Sequence, residues 1–182
     1  MHAQNSTASG DYAAAMGNGT TATGNYSTSM GDNTTASGSV STSMGWWSTA
    51  SGTASTAMGR YTIASDYGSL VIGKHNSSGS TVTNSATVFN PANTALVIGN
   101  GADGNNRSDA LVVKFDGTTT IAGSVTASSF IGDGSGLTSL PLVVESITEG
   151  GNTGVRLSSA NAANHGDIGN TCLLYTSDAA DE

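Results

Sequence analysis

Along the first third of the chain, apolar and polar positions recur with a fixed period. The segment Ala8-Ser9-Gly10-Asp11-Tyr12-Ala13-Ala14-Ala15-Met16-Gly17 returns, with changes, from Ala22, Ala36 and Ala50, a period of 14 residues. Met16, Met30, Met44 and Met58 form one column. Gly17, Gly31, Gly45 and Gly59 form the next, and Gly10, Gly24, Gly38 and Gly52 a third. Glycine every seventh residue divides each copy into two short strands and two turns, and together with dense Ser and Thr it opposes helix. Each copy therefore reads as one coil of a parallel β-solenoid. Coils stack about 4.8 Å apart and place like residues in ladders. Alternation sets Ala14 and Met16 on one face with Tyr12, and Ala13 and Ala15 on the other. Stacked Met16, Met30, Met44, Met58, Ile72 and Ile98 are expected to form the core ladder, with Gly10, Gly17, Gly24, Gly31, Gly38, Gly45, Gly52, Gly59 and Gly73 at the turns.

Four segments follow from the way this pattern decays. Residues 1–73 read as β-roll repeats. Residues 74–122 read as degenerate coils with an insertion at 74–93, because Ser69-Leu70-Val71-Ile72-Gly73 is echoed by Ala95-Leu96-Val97-Ile98-Gly99. A third variant, Asp109 to Gly117, leads into a Thr-rich strand pair and is expected to be better buried. Residues 123–170 read as a connector or the start of another module. Residues 171–182 break every column, hold the lone Cys172 and read as a non-native tail. Asn5-Ser6-Thr7 matches the end of an earlier copy, so the array is expected to begin before residue 1, with any export signal upstream.

Composition changes this picture in one respect. Leu, Ile, Val and Phe total 30 of 182 residues against 52 Ser plus Thr, so one coil alone has little to bury. Within residues 8–63 only Val40 and Ile63 belong to the large aliphatic set. Such a chain gains stability by packing against identical chains, which argues for an oligomer. Five Lys plus Arg and a formal net charge of -8 leave no cationic surface for nucleic acid or anionic membrane, and no apolar run approaches a membrane span.

The columns x-Ala/Ser-Met/Ile-Gly, followed by x-x-Thr-x-Ala-x-Gly, resemble the head repeats of trimeric autotransporter adhesins of the YadA type. They are seen at Ala15-Met16-Gly17, Ala57-Met58-Gly59 and Val71-Ile72-Gly73. The resemblance covers residues 5 to 101. It implies an all-β, left-handed parallel β-roll, a homotrimer carried on a fibrous stalk, and surface attachment without catalysis. Met stands where that family usually carries an aliphatic residue. The phrase Ser129 to Thr138 is similar to connectors in phage tail fibres and in surface fibres that end in a self-cleaving chaperone domain, which leaves both a bacterial cell surface and a virion fibre open as the host object.

Several motifs have a plainer reading than their literal one. Gly99-Asn100-Gly101-Ala102-Asp103-Gly104 matches the dinucleotide fingerprint, but the chain returns at once to a β-branched run with no helix to face a pyrophosphate, so turn chemistry is expected. Asp103, Asn105 and Asp109 lack the remaining ligands of a calcium loop. His2, His75 and His165 are scattered, and Ser135 is not in a nucleophile elbow. Asn5, Asn18, Asn25, Asn33, Asn76 and Asn106 open glycosylation-like triplets that arise from composition. No catalytic residue, metal site or cofactor is expected.

The candidate contact site is Trp46-Trp47, at the turn where other copies carry Asn18-Gly19, Asp32-Asn33 and Arg60-Tyr61. In-register stacking sets Trp46 one rung from Arg60 and Trp47 one rung from Tyr61, within reach of cation–π contact and ring stacking. The functional expectation is an extracellular adhesive or receptor-binding fibre head, homotrimeric, with a host ligand of unknown identity. A structural spacer is the alternative. Ice binding through the column Thr20, Thr34, Ser48 and Thr62 is a remote third.

Overall fold

Each 14-residue copy forms one turn of a solenoid, with one strand of five residues and one of two. The computed structural model describes residues 5–129, 131, 143–149, 152–158 and 174–175, and among these it is all-β with no helix. The longer strands are β2 (Ala14–Asn18), β4 (Thr28–Asp32), β6 (Thr42–Trp46), β8 (Thr56–Arg60), β10 (Leu70–Lys74) and β11 (Thr94–Asn100). They stack in parallel, with Met16 beside Met30, Met30 beside Met44, Met44 beside Met58, Met58 beside Ile72 and Ile72 beside Ile98. The short strands β1 (Thr7–Ala8), β3 (Thr21–Ala22), β5 (Thr35–Ala36), β7 (Thr49–Ala50) and β9 (Ile63–Ala64) form a second parallel sheet. Glycine is obligatory in the column after methionine. Gly17, Gly31, Gly45, Gly59 and Gly73 all have positive φ, and a Cβ on each would overlap the carbonyl oxygen of the next glycine in the stack.

The methionine ladder forms, but not in the coil interior. Ala15, Ser29, Ser43, Ala57, Val71 and Val97 point inward, whereas Met16 is 41% exposed and Met30, Met44, Met58, Ile72 and Ile98 are half-buried on the outer face. The sequence expectation is therefore shifted by one residue, which in a strand reverses the face. Side-chain volume supplies the reason. Two facing sheets joined by tight glycine turns enclose space for Ala, Ser and Thr but little for a four-atom side chain.

The interior of the first coils is consequently a hydroxyl-lined core. The Ser29 and Thr34 hydroxyls lie 2.8 Å apart, Ser43 Oγ donates to the Ser48 carbonyl at 2.8 Å, and Thr62 Oγ1 donates to Ser48 Oγ at 2.9 Å. Each such bond contributes about 1 kcal/mol net, and a buried hydroxyl without a partner costs about 1–3 kcal/mol. Ser27 and Ser41 are in that position: both Oγ atoms are buried with no partner. The first copy carries Ala13 in the same column. Ser41→Ala is thus expected to raise stability by about 1 kcal/mol, read as a higher melting temperature; a lower one would show that Oγ is satisfied in solution. Toward the C-terminal coils the core turns apolar, with Ala50, Ala57, Ala64, Val71 and Val97 in one buried cluster.

After β10 the chain leaves the solenoid for residues 75–93 and re-enters at β11, which pairs with β10 in parallel. Buried polar side chains hold this excursion. Asp66 takes the place of the column glycine, and its carboxylate accepts from Thr83 N at 2.6 Å, Thr94 N at 2.8 Å and Thr94 Oγ1 at 2.7 Å. The Asn76 amide accepts from Ile63 N and donates to Ile63 O, so a side chain stands where the next strand would pair with β9. Asn76 is fully buried, which removes it as a glycosylation site.

The third aliphatic variant departs from the expected coil. It folds back as β12 (Asp109–Lys114), antiparallel to β11 and half-buried, and is followed by exposed β13 (Thr119–Ile121), also antiparallel. The literal dinucleotide fingerprint, Gly99 to Gly104, runs from the end of β11 into the loop before β12. Ala102 N donates to Asn106 O at 2.9 Å, Asp103 Oδ1 accepts from Asn105 N and Asn106 N, and a Cβ on Gly101 would overlap the His75 carbonyl. The Asp103 carboxyl is held below the usual carboxylate range, first by the Asn106 side chain and then by these amides. Asp109 accepts from Ser77 N and Ser78 N. Both carboxylates therefore close loops.

A second compact unit begins at Ala127. Its described strands are β14 (Val143–Glu149), β15 (Asn152–Ser158) and β16 (Leu174–Tyr175), paired antiparallel in that order. Apart from these strands and residues 123–129 and 131, the expected connector at 123–170 and tail at 171–182 lie outside the described residues, as do Ser135, His165, Cys172 and His2.

Candidate functional site

Two adjacent columns meet at the turn that follows the longer strands. The last residues of those strands, Asn18, Asp32, Trp46, Arg60, Lys74 and Asn100, form the first column in register. The next residues, Gly19, Asn33, Trp47, Tyr61, His75 and Gly101, form the second. Asn33, Trp47, Tyr61 and His75 adopt φ between 45° and 55°. Each of these amides donates to a carbonyl one rung back: Trp47 N to Asp32 O at 2.9 Å, Tyr61 N to Trp46 O at 2.8 Å and His75 N to Arg60 O at 3.1 Å. The ladder of backbone bonds thus continues through the turn and brings the side chains into line.

The rings stack as their spacing requires. Trp47 lies on Tyr61 at 5.9 Å and 15°, Tyr61 on His75 at 4.6 Å and 10°, and Trp46 meets Tyr61 edge-on at 5.4 Å. Arg60 places its guanidinium 4.5 Å from the Trp46 ring centre and 5.6 Å from that of Tyr61. A bulky residue at positive φ costs about 1–3 kcal/mol, while an aromatic pair contributes about 0.5–1.5 kcal/mol and an exposed cation–π contact about 0.5–1 kcal/mol. Stacking therefore offsets most of the strain. It does not cover the indoles: Trp46 is 39% exposed and Trp47 48%. The stack ends at Trp47, beyond which the column offers only Asn33 and Gly19.

His75 closes the buried end of the stack. Its Nδ1 has no hydrogen-bond partner among the described residues, and its pKa is lowered first by burial, then by Arg107, Lys74 and Arg60, with Asp103 opposing. A histidine that binds its proton less readily when folded contributes stability above its ordinary value of about 6.5 that is lost as pH falls below it. Acidification from pH 7.5 to 5.5 is expected to lower the melting temperature. His75→Asn, which copies Asn33 three rungs earlier in the same column, should flatten that dependence; an unchanged slope would show that His75 is not its source.

Sequence reasoning brought Trp46, Trp47, Arg60 and Tyr61 together, and the geometry places them so. It missed the opposite turn. There Tyr12 stacks on Tyr26 at 5.2 Å and 7°, with Tyr12 84% exposed and both at positive φ. The signal was available two residues after Gly10 and Gly24. The hydroxyl column Thr20, Thr34, Ser48 and Thr62, on which ice binding would rest, points inward and is buried, so it presents no array to a lattice. The outward hydroxyls Thr21, Thr35 and Thr49 give way to Ile63.

A family comparison bears on what this edge belongs to. The YadA head domain repeat (2 copies) matches in overlapping windows at residues 4–20, 8–34, 22–48, 36–62 and 50–76. Residues 4–76 are YadA-type head repeats. Comparisons with curated proteins and with solved structures give no match. The YadA-type segment contains both columns of the edge from Asn18 to His75, so the aromatic turn is an elaboration of a head repeat.

Proposed function

We propose that the chain is the head of a homotrimeric, non-enzymatic adhesin exposed outside the cell, attaching through the aromatic turn at Trp46 and Trp47. The observation that carries this reading is two part-exposed indoles at one turn of a YadA-type head segment, ending a ring stack with an open face. Isolated exposed apolar residues are ordinary, whereas clustered aromatics on a rigid frame mark contact surfaces. Three copies on one rod would repeat the site, and multivalency lets weak single contacts hold firmly. The half-exposed stripe of Met16, Met30, Met44, Met58 and Ile72 supplies the apolar face on which copies pack.

Light scattering should give three chains per particle, and a stable folded monomer would overturn the trimer. Attachment of the protein to cell or matrix surfaces should fall when both indoles are replaced. Attachment unchanged by that replacement would leave the head as a spacer.

A further inference from the structure

We infer that the edge at Trp46, Trp47, Arg60, Tyr61, Lys74 and Arg107 binds an acidic glycan, a sugar chain bearing carboxylate or sulfate groups. The inference rests on the adhesive reading above and names its ligand class. Charge distribution is the first observation. The chain has a formal net charge of -8 and only five Lys plus Arg, yet three of those five lie at this turn. Arg60 and Lys74 are direct neighbours in the strand register. Arg107 reaches the same place from the β11–β12 loop, where its guanidinium donates to Tyr61 O at 3.3 Å and Asn76 O at 3.1 Å.

Like charges on adjacent rungs are destabilising, so the arrangement carries a cost that an anion would relieve. The acidic residues nearby do not supply that relief. Asp32 stands on the far side of Trp46 from Arg60 and accepts from Asn18 Nδ2 at 2.7 Å. Asp103 is occupied by Asn105 and Asn106.

The second observation is the stack itself. The apolar face of a pyranose ring is matched by the open face of an indole, and a sugar on Trp47 would extend the ladder over the space left by Asn33 and Gly19. Guanidinium groups bind carboxylates and sulfates by paired hydrogen bonds, and Arg60 is held against Trp46 on the rung of Tyr61, one rung from Trp47 on the side away from its open face, so the acidic group it pairs with belongs to a neighbouring unit of the sugar chain. Rings to stack on and cations to pair with thus occur at one turn, whose own carboxylate, Asp32, is bonded to Asn18.

The test measures binding of the full chain to three oligosaccharide probes: an oligogalacturonate, its methyl-esterified counterpart, and a sulfated glycosaminoglycan oligomer. At least one acidic probe should bind about tenfold or more tighter than the ester, with the preference shrinking as salt is raised; which of the two does so separates carboxylate from sulfate recognition. Arg60→Gln with Lys74→Gln should reduce the preference below about threefold while the weak binding of the ester persists. Trp47→Gly should remove binding of every probe. Equal binding of ester and acid, or a preference that survives both glutamine substitutions, would overturn the acidic-glycan assignment. If no probe binds but cell attachment still depends on Trp47, the ligand class is wrong and the adhesive edge stands. If attachment is also insensitive to Trp47, both readings fall.

Discussion

Ala57→Asp is expected to unfold the roll, whereas Met44→Asp is expected to leave each coil folded and to act only where chains pack together. Ala57 is fully buried between Ser43 and Val71 in the stack, within the cluster of Ala50, Ala64, Val71 and Val97. A carboxylate there has no cation to meet, and an unpaired buried charge costs several kcal/mol. Forced volume in a close-packed site adds about 1–3 kcal/mol. Against a typical stability of about 5–15 kcal/mol, the sum is enough to abolish the native state at ordinary temperature. Met44 is half-buried on the outer face, so an aspartate there keeps water and should cost a single coil less than about 1 kcal/mol. Assembly is another matter, since in the proposed trimer this position would be covered in every chain. Circular dichroism melts and light scattering on the same samples separate the effects. The Ala57 variant should lose β signal and the Met44 variant should lose mass. A normal melt for Ala57→Asp would show that the interior is misassigned.

The contrast between these two residues also marks how far the sequence could be read. The 14-residue period and the two glycine columns carry the coil, its parallel register and the ladders, because only stacking demands the same residue class at the same place every turn. Alternation then divides each strand into two faces without saying which one is inside. Here both faces are weakly apolar, Met and Thr on one, Ala and Ser on the other, so hydrophobicity points to Met while available volume selects Ala and Ser. The fold-back of β12 was illegible for a related reason. Asp109 to Gly117 repeats the aliphatic phrase of β10 and β11, and chain direction within a sheet is not written in side-chain type. Asp66, Asn76 and Asn93, all buried, brace the excursion at 75–93 through hydrogen bonds that depend on tertiary approach. The edge at Trp46 was legible because in-register stacking fixes its neighbours. Arg107 was not, since it arrives from a loop 46 residues beyond Tyr61. The Tyr12 and Tyr26 ladder was obscured because its column continues as Val40, Ala54 and Gly68.

The double replacement Trp46→Asn with Trp47→Gly is expected to remove attachment while stability holds. It installs the Asn18-Gly19 pair already present in the first coil, so the turn is one this backbone forms elsewhere. Two stability effects oppose each other. Loss of the Trp47–Tyr61 stack, the Trp46–Tyr61 edge contact and the Arg60–Trp46 contact removes roughly 1.5–4 kcal/mol at the stated pairwise magnitudes. Glycine at the φ of 55° held by Trp47 returns about 1–3 kcal/mol of strain. The balance is a modest change, on the order of 1 kcal/mol, within what a folded roll absorbs. Binding has no such compensation: truncating an aromatic anchor costs about 2 kcal/mol or more at each site, close to thirtyfold in affinity. In a trimer that loss is incurred at three sites, so multivalent attachment should drop more steeply than any single contact. The measurement pairs a melting curve and a light-scattering mass with attachment to cells or glycan surfaces. A fall in trimer mass would assign the two indoles to the interface between chains. Unchanged mass and melting with unchanged attachment would mean that the exposed indoles touch no ligand, and the roll would then act as a rod of fixed length.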